Sequence, residues 1–207
     1  MGKSKSIRTT YQPFARERGV AVPASSSEIM LPDGSTAFIV GIDLSKAMCP
    51  DRSYPAELAG VVYENGIVKL LFGQATLDGG VRSLVEVSMS PQATIQALTV
   101  IEELKNPSLE DIFRSTGEEG RTLTEFKIDP PDVARLKANM LAIGLSGSEA
   151  CIDFYDLSSF AKRNLQIGTT ETANVLGVVR IDTQTALVHA LILKIKELTS
   201  RFPSPIN

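Results

Sequence analysis

The chain has few residues whose chemistry would mark a catalytic site, and their spacing is informative. It holds one histidine, His189, and two cysteines, Cys49 and Cys151, in 207 residues. A serine, cysteine or threonine nucleophile needs a base beside it, and His189 has only Thr185 one turn before and Lys196 two turns after on a helical stretch. We read it as a boundary histidine, on a weakly polar stripe between the buried and the exposed face of that helix. Neither cysteine stands in a Cys-x-x-Cys or metal-ligand spacing, so neither a disulfide framework nor a zinc site is expected. Cys151 opens an apolar strand as a small core residue, whereas Cys49 sits in a proline-flanked loop and is the more accessible thiol. Asp153 and Asp156, three apart on a strand, point to opposite faces and do not form an acid pair or a metal site. Asp78-Gly79-Gly80 is a turn signal without the Gly-Lys-Ser/Thr that would cradle a phosphate. We therefore expect no catalytic residues, no cofactor and no metal, and a protein that is not an enzyme.

What positions these residues is a strand that passes into a helix with almost no loop. Val85, Val87 and Met89 alternate with Glu86 and Ser88, the period of a half-buried strand. Ser90 suits the helix N-cap and Pro91 the first helical position. Ile95, Leu98 and Ile101 then form an apolar stripe. The same junction is expected twice more. One copy is Glu125 to Pro130, with Asp129 as cap and a helix burying Val133, Leu136, Met140 and Ile143. The other is Val175 to Ile181, with Asp182 as cap and a helix carrying Leu187, Leu191, Ile195 and Leu198. Val87, Met89, Ser90 and Gln92 match Val179, Ile181, Asp182 and Gln184 at a constant offset of 92, so the two strand-to-helix ends read as related halves.

Between the junctions lie hairpins. Asn65-Gly66 joins strands over Leu58–Glu64 and Ile67–Gly73, and Pro32-Asp33-Gly34 turns into a strand over Thr36–Leu44. A strand spans Ala150–Leu157, and Ser158–Thr172 reads as a polar connection. A short helix is expected over Leu109–Phe113. Antiparallel strands followed by helices give an α+β fold, a mainly antiparallel sheet covered by helices. The expected organisation is a flexible arm over 1–27, a first half over 28–115, a related second half over 116–202 and a tail over 203–207.

Hydrophobic residues at 43% and charged residues at 22% are those of a folded globular chain. The net charge of −3 gives no general attraction to nucleic acid or anionic membrane, but it is unevenly spread. Residues 1–20 carry Lys3, Lys5, Arg8, Arg16 and Arg18 against Glu17, a net of +4 that leaves −7 for the body. These five basic residues are the candidate contacts for nucleic acid. No signal peptide or membrane span is visible, which makes the cytoplasm the expected location.

The residues Val61, Val62 and Tyr63, then Leu71-Phe72-Gly73, then Val87 and Met89-Ser90-Pro91-Gln92, carry a resemblance. Over roughly residues 56–105 the chain resembles short bacterial and archaeal proteins grouped as a domain of unknown function, with a hairpin, a Phe-Gly strand and a strand ending in Met-Ser-Pro. That family has no established catalytic residues to carry over. Its strand-hairpin-helix order is similar to the fold of the export chaperone SecB and its relatives, which implies oligomers with apolar grooves for unfolded clients. The second half lacks Phe-Gly and Ser-Pro at the matching places.

The function expected from these features is a non-enzymatic protein-binding module, chaperone-like or an oligomeric assembly component. Its partner would be a protein or client chain, or further copies of itself. On the last helix Leu187, Val188, Leu191, Ile192, Leu193 and Ile195 wrap more than half the surface, and Leu187, Val188, Leu191, Ile192 and Ile195 are the candidate partner-binding residues. The alternatives are nucleic-acid association through the basic arm and an enzyme of unrecognised type.

Overall fold

A computed structural model describes residues 19–30, 34, 36–103, 133–168, 171–199 and 202. The basic residues Lys3, Lys5, Arg8, Arg16 and Arg18, the helix expected over Leu109–Phe113 and the junction Glu125 to Pro130 lie outside these. The fold is α+β, with mostly antiparallel strands in two sheets and helices packed against them. In chain order the elements are β1 (Val20–Met30), β2 (Thr36–Ile42), a single 3-10 turn (Leu44–Lys46), β3 (Ser53–Pro55), β4 (Leu58–Glu64), β5 (Ile67–Ala75), β6 (Val81–Met89) and α1 (Pro91–Glu103). There follow β7 (Ala134–Lys137), β8 (Met140–Ser146), β9 (Glu149–Leu157), α2 (Ser159–Gln166), β10 (Thr172–Gln184) and α3 (Thr185–Thr199). One sheet runs β2-β1-β10-β9-β8, with β3 also on β10, and the other runs β4-β5-β6-β7.

The two sheets repeat one another. Adding 82 to the residue numbers of β4 and β5 gives β8 and β9, and the cross-strand pairs coincide: Leu58↔Gly73 becomes Met140↔Tyr155. The insertion of α2 then raises the offset by 12 to 94. Leu70↔Val87 becomes Ile152↔Ile181, and the bulge beside Phe72 recurs beside Phe154. Each hairpin has a two-residue turn that needs a positive φ, supplied by Asn65 (50°) and Gly66 (75°) in one and by Gly147 (63°) in the other.

The repeats also exchange a strand. β3, which leads the first hairpin, pairs in parallel with β10 of the second repeat (Tyr54↔Ile181). β7, which leads the second, pairs in parallel with β6 of the first (Leu136↔Val87). The residue after each exchanged strand is a buried alanine whose amide donates back across the junction, Ala56 N to Asp182 O at 2.8 Å and Ala138 N to Ser88 O at 3.1 Å.

One core joins the halves. Val68, Leu70, Phe72, Val85 and Val87 from the first meet Ile152, Phe154, Val179 and Ile181 from the second. Phe72 and Phe154, equivalent positions, touch edge to face with ring centroids 5.9 Å apart. Complete burial of side chains this size contributes about 1.5–3 kcal/mol each. The helices cross over too, α3 packing on β4 and α1 on β8 as well as on α3. A second cluster, built from Val22, Tyr155, Leu157, Leu165 and Val175, covers the outer face of the β9–β10 sheet with α2 and the β1–β2 hairpin.

Several expectations change. Residues 20–27, expected in a flexible arm, form most of β1: Val20–Pro23 pair with β10 and Ala24–Met30 with β2. The serines there are exposed, so their polarity reflects a solvent-facing strand rather than absence of structure. The helix expected to bury Val133, Leu136, Met140 and Ile143 is two strands, β7 and β8, broken at Ala138-Asn139. Asn139 acts there as a backbone mimic, its Oδ1 accepting from Leu157 N and its Nδ2 donating to Leu157 O, both at 2.8 Å. The polar connection Ser158–Thr172 contains α2, capped by Ser158 Oγ accepting from Ala161 N at 3.1 Å. Ser90 is the expected cap of α1, its Oγ accepting from Ala93 N at 3.1 Å. Asp182 is not a cap, because β10 continues to Gln184 and the Asp182 carboxylate accepts from the Ser53 hydroxyl on β3 instead.

Candidate functional site

The most distinctive surface follows from a break along one edge of β10. On the side away from β9, β1 covers Thr172–Val175 and β3 covers Arg180–Asp182. Leu176–Val179 lies between these two partners, at the bulge, and among the described residues has no strand partner on that side. The loop Met48–Asp51 crosses here. Pro50 is buried against Gly177, where an added Cβ would stand 2.9 Å from the Pro50 Cα, so this close approach requires glycine. A shallow cleft of about 190 Å³ results, lined by Val20, Met48, Cys49, Pro50, Val175 and Leu176 among others. Two of its apolar side chains face solvent, Met48 at 64% and Leu176 at 44% exposure.

Beside the cleft lies a polar cluster on the outer face of β9 and β10. Arg180 grips Asp153 with both arms, Nε to Oδ1 and Nη2 to Oδ2, each at 2.7 Å. Nη2 also reaches Cys49 Sγ at 3.1 Å, which ties the loop to the sheet. Asp153 holds the guanidinium well above its ordinary pKa. Tyr155 OH lies 3.4 Å from Asp153 Oδ2. Burial, and then the Asp153 charge, push the phenol up to about 12. The Asp153 and Arg180 charges cancel, so the cluster orients the loop without presenting a net charge to a ligand.

The residues singled out by sequence are scattered across the fold. Cys49 lines the cleft, while Cys151 on β9 is partly buried with its sulfur close against Gly144. Asp153 faces Arg180, and Asp156 accepts from Asn139 Nδ2 at 2.8 Å, in keeping with opposite faces. Asp78 accepts from Thr76 Oγ1 and Gly80 N within its turn. His189 is half-buried on α3, and burial followed by the Lys196 charge lowers its pKa. Among the described residues, no group of three or more His, Cys, Asp or Glu side chains could hold a metal. No described helix is long and apolar enough to cross a membrane.

The candidate partner-binding residues need correction. Val188, Leu191, Ile192 and Ile195 are at most 8% exposed and belong to the core, and Leu187 packs against it. The apolar excess of α3 is used on β4, β9, β10 and α1 of its own chain, leaving Leu193 as its exposed large apolar residue. Sequence reasoning passed over Met48, Gly177 and Arg180. A glycine inside the apolar run Val175–Ile181 was the available signal, since strand glycines mark bulges or close backbone approach.

Compared with protein-family models and with curated proteins, the chain matches none.

Proposed function

We propose that the protein is a non-enzymatic protein-binding module that takes an exposed apolar segment of a partner chain, in a chaperone-like role or as a component of an oligomeric assembly. The observation that carries this reading is the pair of solvent-facing apolar side chains, Met48 and Leu176, at the break in the β10 edge. Methionine is flexible and polarizable and accommodates varied apolar partners. The cleft is open rather than enclosed, which suits a side chain presented by an extended segment better than a whole small molecule. The similarity in fold order to SecB and its relatives supports the same reading by analogy.

The test is suppression of aggregation. A chemically unfolded client diluted into buffer should scatter less light in the presence of the purified protein. Met48→Asp and Leu176→Asp should weaken this protection several-fold while the thermal midpoint stays within a few degrees. Equal protection by both variants would remove the cleft from the binding surface, and no protection by the natural chain would remove the chaperone-like role.

A further inference from the structure

We infer that the contact between the two repeats is a dimer interface folded into one chain, and that it accepts the corresponding repeat of a second copy. The exchanged strands carry this inference, and it stands independently of the cleft. Neither repeat completes its own sheet: β6 takes β7 from the second repeat, and β10 takes β3 from the first. Each core is covered in part by the other repeat, since α1 lies on β8 as well as on β5, α3 lies on β4 as well as on β9 and β10, and Phe72 meets Phe154 at equivalent places. The exchange itself is isologous: β3 on β10 matches β7 on β6, and α3 on β4 matches α1 on β8, while the β1–β10 pairing is added on one side only. Ala56 N bonds Asp182 O as Ala138 N bonds Ser88 O. That is the geometry of a two-fold dimer, in which one patch serves on both sides.

Two copies that exchange second repeats would therefore keep every one of these contacts and need no new ones. They would differ from the monomer in which chain supplies each repeat with its partner. Exchange of identical elements is a low-cost route to dimers when the contacts are conserved in this way. The concentration at which the chains fold then sets the balance, low concentration favouring closure within one chain, and the partition is held until the repeats unfold.

The first experiment uses the full chain with a site-specific protease sequence inserted between residues 104 and 132, cut after folding. The two fragments should elute together at the mass of the intact monomer and separate only in denaturant. Fragments that part or precipitate under native conditions would overturn the idea that the repeats hold each other as a dimer does. The second mixes two intact chains with different tags, unfolds them together and refolds them at rising concentration. A doubly tagged dimer should grow with concentration and survive dilution under native conditions until it is unfolded again. Refolding to monomer at every concentration, or a dimer that falls apart on simple dilution, would overturn exchange with a second copy.

Discussion

The two repeats share a skeleton and differ in what they wear outside it. Along β5–β6 the inward residues are Leu70, Phe72, Val85 and Val87, and along β9–β10 they are Ile152, Phe154, Val179 and Ile181. All eight are apolar and buried. The outward positions diverge: Leu71 opposite Glu86 in the first repeat becomes Asp153 opposite Arg180 in the second. The inner face is constrained because both repeats must fill one core at close-packed density, so shape and apolar character persist there. The outer faces have different neighbours, the second being covered by α2 and the β1–β2 hairpin, and chemistry is free to change. The candidate site accordingly sits where the repeats differ.

The most severe way to test the shared core is at the aromatic pair. Phe72→Ala and Phe154→Ala should each destabilise by about 3–5 kcal/mol. The double variant should depart from additivity by about 0.5–1.5 kcal/mol, because the rings touch. Denaturant melts of the four proteins give that coupling, and strict additivity would mean that the repeats do not share a core at this point.

Next in size is the outward pair. Asp153→Leu alone leaves the partly buried Arg180 without its carboxylate and should cost about 2–3 kcal/mol. Joining it with Arg180→Met should recover most of that loss, since apolar replacement of both partners is often neutral. If the double variant is no better than the single one, the pair does more than balance its own charges. A smaller contrast comes from Gly177 and its equivalent Ser83. Gly177→Ala forces a Cβ against the Pro50 backbone and should cost about 1–3 kcal/mol, whereas Ser83→Ala should cost little.

The smallest effect is one of pH. His189 is equivalent to Ile95 in the first repeat, and its folded pKa is lowered from 6.5 by burial. The neutral ring is favoured by folding, so its contribution is intact above about 6.5 and is lost as pH falls through the lowered folded value. Urea midpoints should decline over that window, and His189→Ile should flatten its share of the decline. An identical decline in that variant would place the acid sensitivity elsewhere.

These contrasts also show what was legible in the sequence. Turn chemistry was, because Asn65-Gly66 specifies its φ values locally, and so was the Ser90-Pro91 helix start. The α+β class followed from these. The repeat was sensed at an offset of 92 where the paired strands give 94. A slip of two preserves side-chain alternation, so periodicity cannot detect it. Periodicity misled at Val133 to Ile143, where a strand break at Ala138-Asn139 shifts the alternation and imitates helical spacing. β1 and the exchange of β3 and β7 depend on pairing with distant residues, for which local composition carries no signal. The site was hidden for the same reason: Cys49 and Arg180 meet only because β3 reaches the other repeat.

That exchange also bears on how the chain folds as it is made. Synthesis presents the amino-terminal repeat first, yet Val20 finds its partner only at Val175 and Tyr54 only at Ile181. The start of β1, Val20–Pro23, and β3 must therefore wait without these partners until β10 has been made, although Ala24–Met30 can pair with β2 early. Closing such long loops is slow, because the entropy must be lost before the contacts form. Folding completes as a late, concerted event, and during the interval before it the nascent chain itself offers unpaired strand edges to its surroundings.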